Sequence, residues 1–212
     1  MTIRVVGIAG ITGQFAALLA RNILKVASDV QIRGLCRSPM KTGEELRESP
    51  RVEIIHGEAY DTEALRTFCR GCDVVACCYQ GDDRLMVDGQ KLLIDACEQE
   101  NVPRFVASDW SLDYNKLNFG DLFTKDPMKH VKAYLDSKQK VQGVHILNGI
   151  FFDTFFSGFF EMYFPETHTF EYWGEPDEWL EGTSYANSAE YSTAVILDEG
   201  AVGVQRCKSI LP

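Results

Sequence analysis

The stretch Arg4-Val-Val-Gly-Ile-Ala-Gly-Ile-Thr-Gly-Gln14 decides how the rest of this chain is read. Ile3, Val5, Val6 and Ile8 form a β-type apolar run, and a helical pattern follows from Phe15 to Val26. Between them Gly7, Gly10 and Gly13 recur at every third position. A glycine at the strand end permits a tight turn, and the next lets the backbone approach a bound group with no Cβ in the way. The third lets the helix pack close to the strand, so that its N–H groups and dipole point at an anion. Thr12 is the expected N-cap. Strand, glycine turn and helix together predict a pyrophosphate site, with Gly7, Gly10, Ile11, Thr12, Gly13 and Gln14 as candidate contacts.

Outward from this loop, strand-like and helix-like segments alternate. Strands are expected at Ile3–Ile8, Gln31–Cys36, Val52–Ile55, Asp73–Cys78, Pro103–Ala107 and Val144–Leu147. Helices are expected at Thr12–Val26, Thr62–Arg70, Asp82–Asn101 and Asp126–Val141. The run Val74-Val-Ala-Cys-Cys78 is apolar on both faces, as a buried parallel strand requires. This spacing predicts an α/β chain, a doubly wound parallel sheet of the Rossmann type over residues 1–150. Beyond it, residues 151–212 read as a small, aromatic-rich substrate or lid region, interwoven with the first rather than independent. Phe151, Phe152, Phe155, Phe156, Phe159 and Phe160 crowd its start, which suits either an aromatic core or an apolar pocket wall. A last helix is expected over Ser184–Leu197, with Tyr185, Ala189, Thr193 and Ile196 on one face. From Gly200 onward no period is visible.

Composition narrows the function classes. The 212 residues carry a formal charge of −10, against the basic footprint that nucleic acid or an acidic membrane demands. The most apolar stretch, Gly149 to Phe160, contains Asp153 and is too short to span a bilayer; no signal peptide precedes the first strand. Seven cysteines, an odd number without framework spacing, fit a reducing compartment, so a cytoplasmic location is expected. Cys69-Arg-Gly-Cys72 has C-x-x-C spacing, but Cys69 ends a helix, the wrong pole for a stabilised thiolate, and no second pair completes a zinc site. These cysteines are read as packing residues, and no metal site is expected.

The choice of dinucleotide turns on the residue after the second strand, where an acidic side chain usually holds the ribose hydroxyls for NAD. This chain has Cys36-Arg37-Ser38-Pro39-Met40-Lys41, with no Asp or Glu before Glu44. A guanidinium at Arg37 can bind a 2′-phosphate bidentately, with Ser38 and Lys41 as further donors, which favours NADP(H). Tyr79, after the fourth strand, joins the candidate cofactor contacts.

With these residues in place the chain resembles the NmrA-like family, the atypical short-chain dehydrogenases that include isoflavone-reductase-type enzymes. The resemblance runs in order through the glycine loop, Arg37, His56-Gly-Glu-Ala-Tyr-Asp61, Arg70-Gly-Cys-Asp-Val-Val75, Lys91-Leu-Leu-Ile-Asp-Ala96, Val102-Pro-Arg-Phe-Val-Ala-Ser108 and Gly149-Ile-Phe-Phe-Asp-Thr-Phe-Phe156. It implies a Rossmann-type domain binding NADP(H), a shortened C-terminal substrate region, and reduction of a small apolar or aromatic substrate. It also implies an alternative, a non-catalytic dinucleotide sensor acting through a protein partner. Members usually continue well beyond this length, and Asn187 stands where relatives often carry Asp.

The resemblance places a proton-donating lysine near Lys132, with Lys129 as competitor. A rival lies on the same helix: Tyr134 and Lys138 have the Tyr-x-x-x-Lys spacing of ordinary short-chain dehydrogenases, and Ser108 could complete that trio.

Overall fold

The computed structural model describes residues 3–171, 174–175 and 177–207. Seven strands form one parallel sheet: β1 (Val5–Ala9), β2 (Gln31–Cys36), β3 (Val52–His56), β4 (Val74–Cys77), β5 (Arg104–Val106), β6 (Gln142–Leu147) and, last in the chain, β11 (Gly203–Arg206). Their order is β11-β6-β5-β4-β1-β2-β3. The chain winds one way from β1 to β3 and then crosses back to β4, beside β1. The gap between the C-terminal ends of β1 and β4 is therefore the topological switch point, where doubly wound sheets hold ligands. The expected Rossmann-type architecture is the observed one.

Both sheet faces are covered. On one, α1 (Gln14–Val26) and α7 (Tyr185–Leu197) pack over Val6, Ile8, Val144 and Ile146. On the other, α3 (Thr62–Cys69), α4 (Gln90–Gln99) and α5 (Asp126–Asp136) cover Val75, Cys77, Phe105 and Ala107. All four residues of β4 are buried, which explains why its sequence has no alternation. A short α2 (Glu44–Arg47) lies between β2 and β3. Asp61 caps α3, accepting from the Glu63 and Ala64 N–H groups at 3.1 and 3.0 Å. The helix leading into α4 opens with a widened turn at Leu85–Gly89, which the sequence pattern does not show.

Beyond β6, short elements run outside the sheet: β7 (Ile150–Phe151), α6 (Phe152–Phe155), an antiparallel hairpin of β8 (Tyr163–Phe164) and β9 (Thr169–Phe170), and β10 (Gly182–Thr183), which pairs with β7. The chain then returns to the sheet through α7 and β11. Two arginines secure that return. Arg104, on β5 and only 4% exposed, donates to the carbonyls of Ile196 (2.7 Å), Asp198 (2.6 Å) and Ala201 (3.2 Å), capping the C-terminal end of α7. Arg206, on β11, donates to Asp113 at 2.9 Å.

The strand β11 occupies a tail that has no visible sequence period. Its pairing comes from β6, whose Val144 to Leu147 lie in register with Gly203 to Arg206. Among the described residues no helix is long and apolar enough to cross a membrane.

Burial alone would raise the Asp113 pKa, but the Arg206 guanidinium and Asn115 outweigh it and hold this carboxyl below its ordinary value. The pair therefore stabilises the fold above the unfolded carboxylate range and loses that contribution as pH falls through the lowered folded value. Arg206 is half exposed, so roughly 0.2–1 kcal/mol is at stake. Thermal melts of Asp113→Asn should fall below wild type at neutral pH and converge on it in strong acid. A difference that is constant across pH would assign the effect to packing.

Candidate functional site

The glycine loop sits at the switch point. Gly10 has φ +83°, and a Cβ there would stand 2.9 Å from the carbonyl oxygen of Cys78, at the end of β4. Its N–H donates to the Leu35 carbonyl on β2 at 2.8 Å, and the Ile11 N–H reaches the same oxygen at 3.3 Å. Ile11 itself is fully buried in the core. The turn is thus made by the second glycine. Gly7 lies within β1, where a Cβ would come within 2.9 Å of Val75 and 3.0 Å of Phe68, so this glycine admits close packing instead of turning the chain.

The helix cap differs from expectation. Gly13, not Thr12, is the N-cap of α1, and no side chain accepts from the helix's first turn. Thr12 and Gln14 are exposed. With no oxygen of its own at the cap, the helix leaves its N-terminal N–H groups directed at solvent beside the switch point, where an anionic group could take them.

Arg37 and Lys41 follow β2 on the same sheet edge, both exposed. Neither side chain has an ion pair or hydrogen bond among the described residues, and Lys41 is held in place by its backbone N–H, which donates to Ser38 O at 2.9 Å. Tyr79 lies against the loop, its ring 3.6 Å from where a Gly10 Cβ would be. Its hydroxyl is buried without a partner among the described residues, and burial pushes its pKa far up.

The lysine candidates separate. Lys132 pairs with Asp136 one turn on, at 2.7 Å, along the half-exposed side of α5. Lys129 donates to Asp126 at 3.1 Å and to the Asn118 carbonyl. α5 ends at Asp136, short of the expected Val141, so Tyr134 lies on the helix and Lys138 two residues past its end. The ammonium still stands 4.0 Å from the ring centre, and both donate to Asp95 on α4, at 2.7 and 2.6 Å. Ser108 instead donates to Tyr79 O at 2.7 Å. The trio is therefore not assembled: two members form a clamp between α4 and α5, and the third ties β5 to β4.

Sequence reasoning missed the loop after β5. Asp109 is buried and lies 2.7 Å from His145 Nδ1, and the Tyr114 hydroxyl donates to the same carboxylate oxygen at 3.0 Å. Burial first, and the Asp109 charge next, drive the Tyr114 pKa upward. The other Asp109 oxygen and His145 Nε2 have no partner among the described residues. Lys125, just before α5, is half-buried; burial lowers its pKa and the Asp109 charge only partly opposes that. Spacing could not reveal this group, because Asp109 and Tyr114 come from the loop after β5 and His145 from β6.

Aromatic side chains wall the site. Phe15, in the first turn of α1, lies 4.8 Å from Trp110 and 5.6 Å from Phe151, and Phe151 contacts Tyr185 at 4.4 Å. Trp110 donates to Ser192 on α7 at 2.8 Å. Of the aromatic segment, Phe151 is the ring that meets Phe15 among the described residues.

A glycine turn at a switch point, an uncapped helix and two free cations define a dinucleotide-binding α/β protein. The chain belongs to the NAD(P)H-binding family, whose model matches residues 10–146. No curated protein matches it by sequence. Among solved structures it is similar to AtPrR2 with NADP+ and (+)pinoresinol, at 15% identity and TM-score 0.75, covering 99% of this chain and 71% of that one. It is also similar to an isoflavone reductase, at 17% identity and TM-score 0.73, covering 97% and 69%. A third likeness is to NmrA, a negative transcriptional regulator in complex with NADP, at 19% identity and TM-score 0.74, covering 97% and 66%. The NmrA-like fold expected from the sequence motifs is thus the fold observed.

Alanine at Gly10 would meet the Cys78 carbonyl and cost roughly 1–2 kcal/mol in left-handed strain before any clash. Gly10→Ala should lower the melting temperature and abolish the stabilisation that added dinucleotide gives wild type. Wild-type stabilisation by dinucleotide in this variant would remove Gly10 from the site.

Proposed function

We propose that the chain binds NADP(H) in preference to NAD(H) and reduces a small apolar or aromatic substrate. The observation that carries this is the uncapped N-terminus of α1 beside Arg37 and Lys41, cations with no carboxylate to neutralise them. When bound, the cofactor supplies the hydride. The chain's part is to cradle the pyrophosphate with backbone N–H groups, hold the 2′-phosphate with Arg37, and present apolar walls at Trp110 and Phe151. The seven unpaired thiols fit a cytoplasmic setting.

Two ammonium groups are candidates for proton donation. Lys132 is the one that the family resemblance implies. Lys125, half-buried just before α5, is the other: burial eases loss of its proton, the Asp109 charge only partly opposes that, and it forms no ion pair among the described residues. A second reading, a dinucleotide sensor without turnover, is supported by the engagement of Tyr134, Lys138 and Lys132 with carboxylates, and by the likeness to NmrA.

Melts of the purified chain with NADPH and NADH test the cofactor. Arg37→Ala should weaken NADPH binding roughly 10- to 100-fold, the range of a charge-assisted contact, and leave NADH binding unchanged. Equal losses for both would refute the 2′-phosphate assignment. NADPH consumption over a panel of aromatic carbonyl and conjugated substrates then separates the readings: binding without turnover supports the sensor. If Lys125 gives the proton, the rate falls as pH rises through its lowered pKa, ahead of the ordinary lysine range. Lys125→Ala removes that limb and Lys132→Ala keeps it; the reverse assigns the role to Lys132.

A further inference from the structure

From Val141 to Gln205 the chain has eleven Asp and Glu and not one Lys or Arg. The same stretch carries several well-exposed rings. Phe159 is 76% exposed, Phe170 60% and Phe156 51%. They form one connected surface: Phe156 on the α6 side contacts Phe170 of the hairpin at 6.3 Å, and Phe159 reaches it through Phe160 and Phe155. Glu161, Glu166 and Glu171, all exposed, flank these rings, and none has an ion pair among the described residues. A face so apolar is costly to leave in water and marks a contact site.

Its charge selects the occupant. A second copy bound about a two-fold axis would set this face against itself, carboxylate opposite carboxylate, with no Lys or Arg of this stretch to intervene. Anionic lipid and nucleic acid are repelled for the same reason. A small ligand needs a concave site that encloses it, whereas these rings stand outward. What remains is a segment offering apolar side chains framed by Lys and Arg, drawn in by a chain of net charge −10. We propose that the face made by α6 and the β8–β9 hairpin docks a basic amphipathic helix of a partner protein. This surface is separate from the glycine loop and holds for either reading of the dinucleotide's role.

The probe is a fluorescent 14-residue amidated peptide with Leu on one helical face and Lys on the other, and its Glu-for-Lys counterpart, titrated against the 212-residue chain by anisotropy. Wild type should bind the Lys peptide, more weakly as salt rises, and ignore the Glu peptide. Phe159→Ser with Phe170→Ser should weaken binding at least about tenfold, as loss of interface anchors does. Both side chains are exposed, so the melt and NADPH binding should stay unchanged. Glu161→Gln, Glu166→Gln and Glu171→Gln together should weaken binding and flatten its salt dependence. The remote triple Glu44→Gln, Glu48→Gln, Glu63→Gln should change it less than about twofold. Equal losses in the two triples would reduce the effect to bulk acidity and overturn the proposal. So would binding that survives loss of the two rings, or a dimer in sedimentation that the Phe159/Phe170 variant abolishes.

Discussion

One carbonyl oxygen organises the functional end of this protein. Leu35 O, on β2, receives the N–H groups of both Gly10 and Ile11 and so anchors the turn that follows β1. Anchoring the turn fixes where α1 begins, and α1 packs against α7, which carries Ser192, the partner of Trp110. The aromatic wall beside the loop therefore inherits its position from a backbone contact between neighbouring strands. Because two amides are spent on that contact, the N–H groups open to an anion are those of the first turn of α1, one step further along than the glycine spacing suggests.

The alternation of strands and helices was legible because it is imposed by burial. A strand such as Val74–Cys77, covered on both sides, must be apolar throughout, and a helix such as Thr62–Cys69 must announce its start with a residue like Asp61. What escaped was set by partners distant in sequence. β11 forms because β6 offers an open edge, and its four residues contain nothing that says so. The Thr12 cap failed because the N-cap falls one residue later, on Gly13, which has no side chain to accept from the first turn.

The Tyr-x-x-x-Lys pair shows how spacing can bring two side chains together without telling what they face. Spacing placed both side chains on one helix face; they do meet, but Lys138 lies past the end of α5. The sequence does not say what that face looks toward. It looks toward Asp95 on α4, and the two donors serve the join between helices. The buried Asp109, Tyr114 and His145 group has the opposite history, invisible in any one segment and assembled only by the sheet.

The guanidinium of Arg104 has an implication for how this molecule comes apart. A buried cation bonded to three carbonyls at the end of α7 cannot be abandoned without stranding its charge in the core. Detaching α7 and β11 is therefore coupled to opening β5, in the middle of the sheet, while the exposed residues Phe156 to Phe159 after α6 make no bond to Arg104. Cut within that stretch, the chain would persist as two pieces in one native assembly, parting only when the whole sheet melts.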